Sequence, residues 1–303
     1  MESLLKREYF GRFIIELIQN ARDAWYALGN KSKEKSVVRV ILHGDADHPV
    51  LTVCNQGVSF NAERVLRHIT QFGESSKTSG EGIGHKGIGF KSVLEITRTP
   101  EIYSRDDTED EFTLRVCFDP RKSEELLDQV QTKPWTQLVA EFDAKGIKSK
   151  DRRLPILRFP QWIEKPSELV KEEAHWNGIK FNTLIRLPYD PAFDSILGIT
   201  KEKWLATIDN AMEGISDEIV MLLDAFDQVV IDNRLKGKYT CITTRQEVSK
   251  QLPNSVATCR RMEISRNLTG TSNWLLYKKQ FEDAGETNLA HEILVGVKYA
   301  VFE

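Results

Sequence analysis

Apolar residues near the start of the chain recur at helical spacing. Ile14, Leu17, Ile18, Ala21, Trp25 and Leu28 share one side at 100° per residue, so residues 7–28 are expected as one amphipathic helix, stopped by Gly29 and Asn30. A polar turn follows at 31–36. Two β-branched, apolar runs at 37–43 and 50–55, separated by Gly44, Asp45, Asp47 and Pro49, predict an antiparallel pair of strands. Asn61 is placed to cap a second helix over 62–72. Residues 73–82 offer almost nothing to bury and are expected as a loop. A glycine-rich segment follows, then a short helix to about Ile96. Strand-like runs stand at 101–104 and 112–118. From 122 to 173 the pattern is interrupted by a charged run at 145–153 and by Pro134, Pro155, Pro160 and Pro166. This stretch is expected as an insertion with one short strand near 156–159. A strand at 179–187, helices at 201–212 and 216–226 and a strand at 228–232 come next. Strand-like runs then dominate, at 239–244, 257–264, 273–278 and 292–302, and no internal repeat is present.

These elements describe a mixed chain of α+β class. Its 303 residues allow one large domain or two ordinary ones. The 42 basic and 45 acidic residues leave a net charge of −3, which does not support nucleic-acid binding by bulk charge. No apolar run is long enough to span a bilayer, so no membrane partner is expected, and no secretory leader is recognisable. Cys54, Cys117, Cys241 and Cys259 have neither zinc-site nor redox-dithiol spacing. They are expected as buried free thiols in a reducing, cytoplasmic setting.

Three segments carry candidate chemistry. Glu16, Asn20 and Asp23 fall together on the polar side of the first helix. Alone they would be a solvated face; lining a groove, a carboxylate can take a proton from water and an amide oxygen can ligate Mg²⁺. Gly82, Gly84, Gly87 and Gly89 open the short helix, where glycines let backbone N–H groups approach a phosphate closely. The segment is neither a dinucleotide fingerprint, since no strand directly precedes it, nor a Walker loop. Asn55-Gln56-Gly57 closes a strand and by itself suits a plain turn.

In this order and spacing the three segments resemble the GHKL superfamily of ATP-binding domains, which includes gyrase B, heat-shock-ninety chaperones, histidine kinases and MutL. The helix motif Glu16-Leu17-Ile18-Gln19-Asn20-Ala21-Arg22-Asp23-Ala24 and the glycine box Gly84-His85-Lys86-Gly87-Ile88-Gly89-Phe90-Lys91-Ser92 look most like the sacsin and NO VEIN branch. The run 181–187 looks like the family's last box, a Thr before an apolar strand. The resemblance implies a two-layer α/β sandwich with a mixed, mostly antiparallel sheet over 1–234, a lid at 73–86 and an insertion at about 120–175. It implies that 235–303 begins a strand-rich, transducer-like region.

It also implies roles, position by position. Glu16 matches the general base, Asn20 the Mg²⁺ ligand, and Asp23 an acidic position beside them. Gly57 matches the first glycine of the adenine box. Gly84, His85, Lys86, Gly87, Ile88, Gly89 and Phe90 match the phosphate-wrapping box, and Thr183 the threonine that helps hold the base. Two positions depart from the pattern. Asn55 stands where the family has an Asp that accepts the adenine amino group, and Ser59 where it has a second glycine. An amide oxygen still accepts that bond, more weakly than a carboxylate.

The implied function is Mg²⁺-dependent ATP binding and slow hydrolysis, with ATP and ADP as partners, in a larger chaperone-like or defence-related protein. A non-hydrolysing nucleotide switch and a DNA-processing ATPase are the alternatives. A histidine kinase is disfavoured by Glu16 and by the lack of a phosphoacceptor helix around any His. ATP-dependent pairing of two copies through residues 1–11, with Tyr9 and Phe10 as anchors, is a further expectation.

Overall fold

The computed structural model describes residues 12–29, 35–45, 47–65, 69, 89–147, 156–247, 250–253, 257–267, 270–282 and 290–299. Helix α1 spans Phe13–Tyr26 and buries Phe13, Ile14, Leu17, Ile18 and Ala21. Strands β1 (Val37–Gly44) and β2 (Pro49–Asn55) form the expected antiparallel pair, with Val40 opposite Val53. Helix α2 is described over Ala62–Arg64, and most of the rest of the helix expected over 62–72 lies outside the described residues. The segment after the glycine box is a 3-10 helix, Gly89–Glu95. Strands β3 (Glu101–Ser104) and β4 (Leu114–Cys117) follow.

The insertion departs most from expectation. It opens with two helices, α3 (Pro120–Val130) and α4 (Lys133–Ala144). Pro120 and Pro134 occupy first-turn positions, where a missing N–H costs nothing. The Asp119 side chain caps α3 by accepting from the Arg121 N–H. The strand expected near 156–159 is instead a 3-10 turn, Ile156–Arg158, and the strand is the two-residue β5, Gln161–Trp162. Helix α5 (Glu168–Glu173) leads into the small hairpin of β6 (His175–Trp176) and β7 (Ile179–Lys180). The single strand expected over 179–187 is therefore two. The chain breaks at Phe181 and Asn182, where Phe181 N–H turns to the Ala174 carbonyl, before β8 (Thr183–Pro188). Helices α6 (Asp194–Leu197), α7 (Lys201–Glu213) and α8 (Asp217–Leu223) precede β9 (Gln228–Asn233). Thr200 and Ser216 cap α7 and α8.

The remaining strands are β10 (Lys238–Gln246), β11 (Lys250–Gln251), β12 (Thr258–Arg266), β13 (Gly270–Glu282) and β14 (Ala290–Tyr299). They do not form a sheet of their own. One 12-stranded sheet runs β14-β13-β12-β10-β9-β1-β2-β8-β3-β4-β5, with β11 beside β12. Every pairing is antiparallel except β1 with β9. The sheet carries no break at residue 234, because β10 pairs along β9 from Lys238–Asn233 onward. The structure is thus a mixed α/β chain built on a large, mostly antiparallel sheet.

Strand alternation sends side chains to two different cores. On one face Val38, Val40, Leu51, Val53, Ile185, Leu187 and Val229 pack with α1, α7, α8 and the 3-10 helix after the glycine box. This core continues under Met262, Ile264, Trp274 and Leu276 of the later strands. On the other face Val37, Ile41, Cys54, Leu184 and Val230 are covered by Val170 and Ala174 of the insertion and by Trp176 and Phe181 just after it. Among the described cysteines none is disulfide-bonded; Cys54 and Cys117 are buried, Cys241 and Cys259 half-buried. No helix of the described residues is long and apolar enough to cross a membrane.

The insertion is held on that second face by charge. Glu173, at the end of α5, is 2% exposed and pairs with Arg186 of β8 at 3.1 Å and with His43 of β1. Arg186 also reaches Glu101 of β3 at 2.6 Å. Burial opposes the Arg186 charge, but Glu173 and Glu101 outweigh it and raise its pKa. Removing one member of such a set strands the others in a medium that cannot solvate them. Glu173→Gln is expected to destabilise the fold by about 3 kcal/mol, the low end for a broken buried pair because Arg186 keeps Glu101. A urea-denaturation midpoint compared with wild type measures it, and a loss below about 1 kcal/mol would mean the pair behaves as an exposed one.

Candidate functional site

Helix α1 presents Glu16, Asn20 and Asp23 along its partly exposed side, while Leu17, Ile18 and Ala21 face the sheet. The three polar residues lie within about two helical turns of one another. Asp23 is tied to its neighbour, since its Oδ1 accepts from Arg22 Nη1 at 3.3 Å. Arg22 points the other way, into a buried pairing with Asp224.

The end of β2 meets this helix at its C-terminal half. Gly57 has φ +125°, a conformation that side-chain-bearing residues rarely adopt. A Cβ there would stand 2.6 Å from the Ala24 carbonyl carbon and 2.8 Å from its oxygen. The next residue, Val58, donates its N–H to that same Ala24 oxygen at 2.9 Å. The absence of a side chain at 57 is what allows the turn to lie directly on the helix backbone, one turn beyond Asn20.

Asn55 ends β2 on the helix-facing side of the sheet, in phase with Leu51 and Val53. It is 5% exposed and pairs in register with Thr183, the first residue of β8. Thr183 in turn pairs with Ser104, the last residue of β3, and their hydroxyls lie 2.9 Å apart. Asn55, Thr183 and Ser104 therefore form a row of polar groups across three neighbouring strand ends, all on the face that carries α1. The Asn55 Nδ2 donates to the Gln56 carbonyl at 2.8 Å, which leaves its Oδ1 as the acceptor end of the amide.

The loop after Gly57 is pinned from below. Asn182 Nδ2 donates to the Gly57 carbonyl at 3.0 Å and also to Asp107. Phe60 N–H donates to Ser104 Oγ at 2.8 Å. The Ser59 hydroxyl, at the position of the missing second glycine, donates to Asp106. Sequence motifs do not mark Ser104 or Asp106 as part of this neighbourhood, and Asn182 lies in the 181–187 run without a role assigned to it. The one signal for Asn182 is its place as the polar residue just before Thr183; Ser104 has none beyond ending a strand.

Gly89 begins the 3-10 helix that packs on α1. Phe90 is half-buried between the main core and the smaller cluster of Val65, Ile102 and Phe118. Lys91 is buried, and its pKa is lowered by that burial and by nearby Arg158. Gly84, His85, Lys86, Gly87 and Ile88, the lid at 73–86 and the arm at 1–11 lie outside the described residues. Among the described residues no group of three His, Cys, Asp or Glu could hold a metal ion. An ion at α1 would have to rest on few protein ligands, as Mg²⁺ does when phosphates complete its shell.

No protein-family profile matches the chain. A stretch of 93 residues is 40% identical to Protein NO VEIN of Arabidopsis thaliana; it covers 30% of this chain and 3% of that protein. The chain thus matches only a small part of that relative's length.

Gly57→Ala is expected to force the turn off α1, because the added methyl would sit inside the Ala24 peptide. The variant should lose about 2 kcal/mol or more, the range for a side chain at a strained positive φ together with a steric clash. A thermal-shift measurement against wild type tests this, and an unchanged melting temperature would show that the contact does not set the helix position.

Proposed function

We propose that this chain binds Mg²⁺-ATP between α1 and the strand ends of β2 and β8, and hydrolyses it slowly to drive lid closure in a larger protein of the GHKL superfamily. The observation that carries the proposal is the backbone contact of Gly57 with Ala24. It seats the turn that follows Asn55 on α1, one helical turn beyond Asn20, on the side of the sheet that carries Asn55, Thr183 and Ser104. Two of the three segments in the resemblance, the α1 motif and the Asn55–Gly57 turn, thereby share one side of the sheet. The stretch of identity to Protein NO VEIN supports the same branch.

The donor set suits a nucleotide. Asn55 offers an amide oxygen for an exocyclic amino group, because its Nδ2 is already engaged by Gln56. Thr183 offers a hydroxyl beside it. Asn20 supplies the hard oxygen donor that Mg²⁺ prefers, and Glu16, about one turn earlier, would orient water and take its proton. The resemblance assigns the phosphates to the glycine box, which leads into the 3-10 helix packed on α1. When bound, Mg²⁺ neutralises phosphate charge, so the protein's share is positioning more than covalent chemistry. The chaperone-like or defence-related setting rests on the branch resemblance alone.

A second reading is a nucleotide switch that binds without turnover. It is favoured by Asn55, whose neutral amide accepts more weakly than the expected carboxylate. Steady-state phosphate release and ATP binding, measured together, separate the two. Glu16→Ala should retain ATP binding and lose turnover by about 100-fold or more, the usual worth of a positioned general base. Asn20→Ala should weaken Mg²⁺-ATP binding by about tenfold, equivalent to ~1.4 kcal/mol. Wild type that binds ATP but releases phosphate no faster than Glu16→Ala would establish the switch, and wild type that binds no ATP would remove both readings.

A further inference from the structure

The residue next to Asp23 carries a dense set of buried hydrogen bonds. Arg22 is 4% exposed. Its Nε donates to the Leu223 carbonyl at 2.7 Å and to Asp224 Oδ1 at 3.1 Å, and its Nη2 donates to the same Oδ1 at 2.9 Å. One turn later, the Tyr26 hydroxyl donates to Asp224 Oδ1 at 2.9 Å. Burial, and then Asp224, push the Tyr26 phenol pKa up, so it stays a donor. For Arg22 burial disfavours the charge, yet Asp224 more than offsets this and its pKa is raised.

Asp224 is an unusual residue for this position. It follows α8 with φ +45°, in the left-handed region, and is 4% exposed. A glycine would meet the backbone requirement more easily. The carboxylate is instead used in full. Its Oδ1 takes Arg22 and Tyr26, and its Oδ2 takes Arg260 Nη2 of β12 at 2.5 Å. Its own carbonyl accepts from Gln246 of β10 at 3.1 Å. Arg260 lies on the same face of β12 as Met262 and Ile264, toward the helices.

Asp224 therefore joins the helix of the proposed nucleotide site to two later strands, to β12 through its carboxylate and to β10 through its backbone carbonyl. Arg22 also touches Asp23, so the chain of charges runs Arg260, Asp224, Arg22, Asp23. The apolar face of α1 alone does not fix its rotation, because hydrophobic contact is non-directional. A forked guanidinium held at two acceptors does fix it. Since residues of a helix turn together, pinning Arg22 also sets where Glu16, Asn20 and Asp23 point.

We infer that Asp224 and Arg260 are positioning residues that couple the nucleotide-facing side of α1 to β12, so that occupancy at one is felt at the other. This rests on the proposed nucleotide site, but part of its test does not. Amide hydrogen exchange of the 303-residue chain is compared for wild type, Asp224→Asn, Arg260→Gln, Arg260→Lys and Arg261→Gln. Arg261 is the neighbouring residue on the opposite face of β12, with a side chain 65% exposed. Without nucleotide, residues 13–26 should exchange about tenfold faster in Asp224→Asn and Arg260→Gln, and at the wild-type rate in Arg261→Gln. Arg260→Lys should recover part of the protection.

With Mg²⁺-ATP, wild type should gain protection at 13–26 and also at 258–266. Arg260→Gln should gain it at 13–26 only, with an affinity for Mg²⁺-ATP within about twofold of wild type and kcat reduced about tenfold. Wild-type protection that stops at α1, or an Arg260→Gln protein that exchanges like Arg261→Gln, would overturn the coupling. If neither wild type nor any variant binds ATP, the proposed function falls, while the nucleotide-free exchange of 13–26 still decides whether Asp224 and Arg260 hold the helix.

Discussion

The distance between α1 and the end of β2 is set by a contact of backbone on backbone. Gly57 lies against the Ala24 peptide, and Val58 donates a hydrogen bond to the same carbonyl. That oxygen belongs to the last turns of a helix, where carbonyls lack intrahelical partners. The contact therefore satisfies a group that would otherwise need water, and it does so only because position 57 has no side chain. The end of β2, which carries Asn55 two residues before Gly57, takes its place against α1 from it.

The sheet's two faces are built on different physics. Toward α1, α7 and α8 the core is apolar and continuous from Phe13 to Leu276. Its helices are held chiefly by area burial, which stabilises without directing. Toward the insertion, apolar residues are interleaved with Arg39, His43, Glu173 and Arg186. Arg39 pairs with Asp232 at 2.6 Å across the parallel β1–β9 junction. Charges buried in this way add little net stability compared with apolar packing, but they tolerate only one arrangement of partners. The Arg22–Asp224–Arg260 cluster adds a directional constraint on the apolar face, alongside the backbone contact of Gly57 and Val58 with Ala24.

Much of the framework is legible in the sequence because strand and helix periods are local. The amphipathic period of α1, the β1–β2 pair and the strands β9, β10, β12 and β13 are where alternation and turn residues put them. The insertion is where such reading fails. Its prolines look like interruptions, whereas Pro134 sits in the first turn of a helix. In the candidate site, the motif residues on α1, β2 and β8 can be named from sequence, and the fold brings Asn55, Gly57 and Thr183 to the α1 side of the sheet. Ser104 and Asp106 carry no such mark, since a serine or an aspartate at or near a strand end is ordinary until its neighbours are known.

By itself, the sequence determined which side chains share a face, because alternation in strands and the 3.6-residue turn of helices depend only on near neighbours. It also determined that position 57 could approach another backbone, because glycine alone lacks a Cβ. The tertiary structure decided what lies opposite. Arg22 and Asp224 are 202 residues apart, and nothing near either names the other. Their pairing, like that of Glu173 with Arg186, follows from which segments the sheet order brings together. A buried charge must find a counter-charge wherever the fold places one.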